Sequence, residues 1–206
     1  MNNELKIKVC GMREAVNIQQ LVKLPIDYIG FIFYEKSARC VLEKPAVSIP
    51  SNIKKVGVFV NADKETIHKK IKEFDLQVVQ FHGNESVDLC EEIKNLGIET
   101  FKAFGIDYDF KWENIASYIE KVDYFLFDTK SEQYGGTGQT FNWEKLKDYP
   151  YSTPYWLSGG LSLENIQEAA NFKDNRLYGL DLNSKFEIKP GIKNIDSLTK
   201  AISNLK

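Results

Sequence analysis

Eight short runs of strand-forming residues, each followed by a longer stretch, recur roughly every 25 residues along this chain, and few folds accommodate that alternation. The runs are Leu5–Cys10, Tyr28–Phe33, Lys55–Val60, Gln77–Phe81, Glu99–Phe104, Asp123–Phe127, Pro154–Leu157 and Leu177–Leu182, all rich in β-branched or aromatic residues. The spacing is that of a βα unit with short loops, and no Asn-Gly hairpin turn separates neighbours, so parallel pairing is expected.

The stretches between the runs carry the helical period. Ile67, Ile71 and Phe74 fall on one face, with Lys64, Lys69, Lys70 and Lys72 elsewhere around it. Val87, Cys90, Ile93 and Leu96 repeat the pattern with Gly97 placed to end the helix, and Leu198, Ala201, Ile202 and Leu205 repeat it again. Two units are weak: Pro45 and Pro50 bracket only a short second helix, and the fifth, around Trp112 to Ile119, lacks a clear stripe. Eight βα units in 206 residues predict an α/β fold, a single-domain (β/α)8 TIM barrel over residues 1–206. An open doubly wound sheet is the competing fold. Its dinucleotide fingerprint is missing from the first βα turn, Cys10-Gly11-Met12-Arg13.

Composition narrows the partners. The chain has 43% hydrophobic residues, enough for one buried core, and 27 basic against 29 acidic residues give a net charge of -2 without a basic stripe. Neither nucleic acid nor a membrane surface is expected; a small molecule is. Met1-Asn2-Asn3-Glu4 opens without an apolar signal region, so cytoplasmic localisation is expected. Cys10, Cys40 and Cys90 are an odd number with no metal-ligand spacing, which argues against a disulfide framework and against a metal site.

In a barrel, chemistry belongs at the C-terminal strand ends. These are Cys10, Phe33, Val60, His82, Phe104, Asp128, Ser158 and Leu182. The apolar run Phe125-Leu126-Phe127 stops on Asp128 and soon opens into Gly135-Gly136-Thr137-Gly138, a loop whose N–H groups suit a phosphate, with Asn142 placed to cap a helix beyond it. Ser158-Gly159-Gly160, just before the candidate helix cap Ser162, and Asn183-Ser184 follow the last two strands, where barrels commonly hold phosphate. Several residues have plainer readings: Cys40 and Cys90 as inert thiols, His68 as a solvated side chain, and Trp112, Trp143 and Trp156 as packing.

These segments, in order, resemble a known family. Lys8-Val9-Cys10-Gly11, Gly30-Phe31-Ile32-Phe33, Lys36-Ser37-Ala38-Arg39, Val56 to Asn61, Val79-Gln80-Phe81-His82-Gly83, Phe127-Asp128-Thr129, Gly135 to Gly138, Leu157-Ser158-Gly159-Gly160-Leu161 and Lys189-Pro190-Gly191-Ile192-Lys193 are similar to phosphoribosylanthranilate isomerases of tryptophan biosynthesis. The resemblance implies a (β/α)8 barrel that carries out a cofactor-free Amadori rearrangement of N-(5-phosphoribosyl)anthranilate, acting as a monomer or homodimer. It implies Cys10 as catalytic base and Asp128 as catalytic acid, Arg39 at the anthranilate carboxylate, and His82 near substrate. Phosphate would fall to Gly135, Gly136, Gly138, Gly159, Gly160, Asn183 and Ser184.

The chemistry sets opposite requirements on the pair. A cysteine base must reach the thiolate, for which the helix start near Arg13, Lys8 on the same strand face, and Arg39 are candidate helpers. An aspartic acid must hold its proton, which burial beside Phe127 and Leu126 would favour. Two departures from the family pattern stand out. Ser37-Ala38-Arg39-Cys40 replaces Ser-Pro-Arg-Tyr, and Lys185 stands where members carry a glycine, either removing a left-handed conformation or adding a cation near the phosphate. Another phosphosugar-barrel isomerase or epimerase, or a non-catalytic phosphate-ester binder, remains the alternative.

Overall fold

The computed structural model describes residues 4–129 and 143–205. Its eight main strands are β1 Lys6–Val9, β2 Tyr28–Ile32, β3 Lys54–Phe59, β4 Val78–Phe81, β5 Glu99–Ile106, β6 Tyr124–Thr129, β7 Tyr155–Leu157 and β8 Leu177–Leu182. They close in sequence order into a parallel barrel, β8 pairing back onto β1 through Lys6 to Gly179 and Val9 to Leu182. The predicted architecture is therefore the observed one. Closure leaves the barrel sheet itself without an unpaired edge.

Helices cover the barrel unevenly. Helix α2 (Lys64–Phe74) is capped by Asp63, whose carboxylate accepts from the Thr66 N–H, and α3 (Val87–Asn95) by Ser86, which accepts from Leu89. Gly97 ends α3 at φ +79, the left-handed role expected of it. Helix α1 is Ala15–Leu21, α4 is the short Ile166–Ala170 and α5 is Ile195–Ser203, capped by Asn194. Ser162 is not the cap of α4, which Asn165 begins; the Ser162 hydroxyl instead accepts from the Glu164 N–H in the preceding turn. The weak units stay weak for the expected reasons. Among the described residues no helix forms between β2 and β3, where Pro45 and Pro50 lie, and Trp112–Tyr118 is a 3₁₀ turn. The helix expected after Asn142 is corrected: Trp143–Asp148 forms a 3₁₀ turn instead. Asn142 and Gly135 to Gly138 lie outside the described residues.

Two cores follow from strand alternation. Outward side chains such as Val9, Phe59, Phe81 and Phe127 pack under the helices, while Tyr28, Val56, Val58, Val78, Phe101, Ala103, Leu126 and Trp156 fill the interior. Aromatics plug the N-terminal end: Tyr28 meets Trp156 edge-on at 4.9 Å, and Tyr124 lies 4.3 Å from Tyr178. The smaller Val58, Ala103 and Leu126 sit above them, so the polar groups occupy the C-terminal mouth. A short hairpin, β9 (Glu187–Lys189) with β10 (Ile192–Lys193), follows β8 at that mouth. No helix among the described residues is long and apolar enough to cross a membrane.

Candidate active site

One cavity at the mouth gathers Cys10, Arg39, His82, Asp128, Gly159, Gly160, Asn183 and Ser184, the described residues to which the resemblance gives a catalytic, substrate or phosphate role. Backbone bonds fix the strand ends that carry them: the Cys10 N–H donates to the Leu182 carbonyl at 2.9 Å, His82 to Phe59 at 2.8 Å and Ser158 to Phe127 at 2.8 Å. Two strand ends fall one residue earlier than expected: Ile32 and Asp181 face the cavity, whereas Phe33 and Leu182 turn outward into the helix-side packing, as Phe104 does. On β3 the cavity is lined by Val58, two residues before the expected Val60.

Asp128 lies largely buried beside its strand neighbours, as expected. Burial raises its pKa to about 6, opposed by the Thr129 N–H donating to Oδ1 at 2.8 Å and by the Lys8 charge, and reinforced by Asp181. His82 lies across from it, Nε2 to Oδ2 at 3.7 Å. Burial and the ammoniums of Lys8 and Lys102 bring the His82 pKa down to about 4, so its imidazole is neutral at neutral pH.

Cys10 is buried, and burial pushes its thiol up; the charge of Lys8 works against that most, with Lys193 behind it. Of the two cations named from the sequence, Lys8 is the one whose charge acts on the thiol, and burial still leaves the thiol raised. Arg39 is engaged elsewhere, giving Nε and Nη2 to Glu187 at 3.0 Å and 2.7 Å. The ammonium of Lys8 is itself fully buried against Asp181, Nζ to Oδ2 at 2.8 Å, and the charges of Asp181 and Cys10 hold it above the usual lysine value despite burial. Asp181 keeps Oδ1 without a partner among the described residues, and the residue lines the cavity.

The glycine wall is tight by geometry. Gly159 and Gly160 adopt φ +85 and +66, and neither N–H finds an acceptor among the described residues. A Cβ on Gly159 would meet Asp128 Oδ1 at 2.6 Å and the Thr129 N at 2.6 Å. Opposite it, Lys193 Nζ bridges Asn183 Oδ1 and Glu187 Oε1, each at 2.7 Å, and Glu187 also accepts from the Gly191 N–H at 3.0 Å. Burial lowers Lys193 to about 8 against the pull of Glu187. Lys185 is exposed in a 3₁₀ turn without positive φ, so it strains nothing, and it does not line the cavity.

Gln80, Asp181, Glu187 and Lys193 escaped the sequence reading as site residues. A charged or amide group inside an apolar strand was the available signal for the first two. Asp181 was further hidden by an irregularity in which Tyr155 pairs with Leu177 but Trp156 with Gly179. The extra residue lets Tyr178 and Asp181, three apart, both face inward, against strict alternation. Among the described residues no group of three His, Cys, Asp or Glu side chains could hold a metal ion.

A closed parallel βα barrel with its polar groups collected at the C-terminal strand ends defines the class, a barrel enzyme acting on a small molecule. The family model described as N-(5'phosphoribosyl)anthranilate (PRA) isomerase matches residues 7–204. An N-(5'-phosphoribosyl)anthranilate isomerase of Parabacteroides distasonis is 46% identical over 204 residues, 97% of this chain and 92% of that one. Among solved structures, the phosphoribosyl anthranilate isomerase of Thermotoga maritima is 32% identical with a TM-score of 0.82, 98% of each chain being covered. Another, in complex with reduced 1-(o-carboxyphenylamino)-1-deoxyribulose 5-phosphate, is 30% identical with a TM-score of 0.81 and the same coverage. The chain belongs to the N-(5'-phosphoribosyl)anthranilate isomerase family, and its activity is the isomerase step of tryptophan biosynthesis.

Proposed function

We propose that Cys10 and Asp128 are the base and acid of the Amadori rearrangement of N-(5-phosphoribosyl)anthranilate. The observation that carries this is their shared cavity: a thiol from the end of β1 and a carboxyl from β6 line the same space as the Gly159 and Gly160 N–H groups. Asp128 gives its proton to the furanose ring oxygen, the C1–O bond breaks, and the aniline nitrogen lone pair forms the imine. Cys10, as thiolate, takes the proton from C2; the electron pair moves to the C1–C2 bond and gives an enolamine. The Cys10 thiol returns its proton to C1 while the C2 hydroxyl loses its own to the Asp128 carboxylate, which yields the ketone and restores both groups, so C2 is oxidised as C1 is reduced and no outside oxidant is needed.

The remaining roles follow the shape of the substrate. Arg39 has Nη1 without an acceptor among the described residues and suits the anthranilate carboxylate. The Gly159 and Gly160 N–H groups, with Asn183 and Ser184, suit the phosphate, and Gly135, Gly136 and Gly138 complete that cradle in our reading. His82 contacts the sugar beside Asp128. The enzyme in this reading acts as a monomer or a homodimer. We place this one-domain enzyme in the cytoplasm, as expected of amino-acid biosynthesis.

Cys10→Ala and Asp128→Ala, assayed by the fluorescence of the anthranilate-derived substrate, should each lower kcat by about 10³-fold or more while affinity for a product analogue stays near wild type. Wild-type turnover in either variant would remove the assignment.

A further inference from the structure

Gln80 sits on β4 with its side chain buried inside the barrel mouth, 2% exposed and two residues before His82. Its Nε2 lies 3.1 Å from His82 Nδ1. An amide nitrogen can only donate, so Nδ1 must accept, and in a neutral imidazole the proton then resides on Nε2. That nitrogen is the one turned toward Asp128 Oδ2.

We propose that Gln80 is a positioning residue: its amide holds His82 as the Nε2–H tautomer and so keeps the imidazole from accepting the proton of Asp128. Both lobes of the carboxyl then face N–H groups, Oδ1 the Thr129 backbone and Oδ2 the imidazole. The acid proton of Asp128 has no acceptor on that side and is left for the sugar ring oxygen. Once the proton has gone, the same two N–H groups favour the carboxylate that remains. In the opposite tautomer Nε2 would carry a lone pair and would compete with the substrate for the proton. The Gln80 carbonyl oxygen is buried without a partner among the described residues in this orientation.

The inference rests on Asp128 being the acid, and it can be tested apart from that reading. The charged groups around His82 are Asp128 from β6, Lys8 from β1 and Lys102 from β5, with Cys10 and Asp181 in the same cavity. None of them touches Nδ1. The chain has two histidines, so a long-range ¹H–¹⁵N spectrum contains two imidazole patterns, and His68→Gln assigns them. At pH 7 His82 should show the Nε2–H pattern. Gln80→Glu offers Nδ1 an acceptor in place of a donor, so the pattern should invert to Nδ1–H and kcat should fall about tenfold with KM changed less than about threefold. Gln80→Met, which removes the polar group at similar volume, should give a mixed tautomer and an intermediate kcat, and it supplies the answer if the glutamate variant does not fold. An Nδ1–H pattern in the wild type, or an unchanged kcat after the tautomer has inverted, overturns the proposal. Asp128→Ala with wild-type turnover would instead remove the acid while leaving the tautomer result standing.

Discussion

Gly30 is where the barrel wall and the thiol come closest, and Gly30→Ala isolates that contact. A Cβ at Gly30 would lie 2.7 Å from Cys10 Sγ, 3.0 Å from its Cα and 3.2 Å from its Cβ, where ordinary contact begins at 3.4 Å. The sulfur must retreat by roughly 0.7 Å, and rotating it away leaves the Cα overlap, so β1 and β2 must also part. They are held there by the Gly30 carbonyl, which accepts from the Gly11 and Met12 N–H groups at 3.0 Å each. Overpacking of this kind costs about 1–3 kcal/mol, offset by about 0.5–1 kcal/mol because alanine loses less backbone freedom than glycine in a strand. The net is about 0–2.5 kcal/mol, or a Tm lowered by up to roughly 10 °C for a chain of this size. Activity should suffer more, because displacing a reacting group by up to ~1 Å costs about 10²-fold in kcat/KM. Thermal denaturation and the fluorescence assay read the two effects separately. Gly97→Ala is the control: at φ +79 with nothing within 4 Å, it should lose about 1 kcal/mol of stability and no turnover. A Gly30→Ala enzyme with wild-type kcat/KM would refute the placement of Cys10 at the reacting carbon.

Asp128 is held near pKa 6 by burial, above the roughly 3.9 of an unfolded chain, so the folded state binds the extra proton between those values and wild-type stability should fall as pH rises from about 4 to 6. Asp128→Asn should therefore gain about 2–3 kcal/mol over wild type at pH 8 but little at pH 4, measured by urea denaturation at both; a gap independent of pH would contradict this. The same titration predicts that kcat/KM declines above about pH 6 as the acid loses its proton. Lys8→Met strands the buried Asp181 carboxylate and should cost about 3–5 kcal/mol in denaturant unfolding, a loss under 1 kcal/mol arguing against a buried pair. Glu187→Ala releases Arg39 and Lys193, so binding of an anthranilate-bearing product analogue should weaken about tenfold in calorimetry, more than that of inorganic phosphate. Equal weakening of both would deny Glu187 its hold on Arg39.

Alternation and length narrow the fold to a closed barrel or an open doubly wound sheet, and the missing dinucleotide fingerprint favours the barrel. Eight apolar runs at βα spacing admit few arrangements, and Phe127-Asp128 and Val9-Cys10 mark strand ends because an apolar run stopping on a reactive group is legible without coordinates. Pro45 and Pro50 marked the second helix as short, and the structure has none there among the described residues. The tertiary structure decided what depends on distance through space. Lys8 became the charge beside Cys10 because β8 returns to β1 and brings Asp181 to hold its ammonium, while Arg39, an equal candidate on paper, was taken by Glu187 from a hairpin 148 residues away. The extra residue opposite β7 turned Asp181 inward against the two-residue period. Charge and pattern travel along the chain and can be read from it; pairing across a closed barrel, and the burial that sets a pKa, exist only once strands distant in sequence have met.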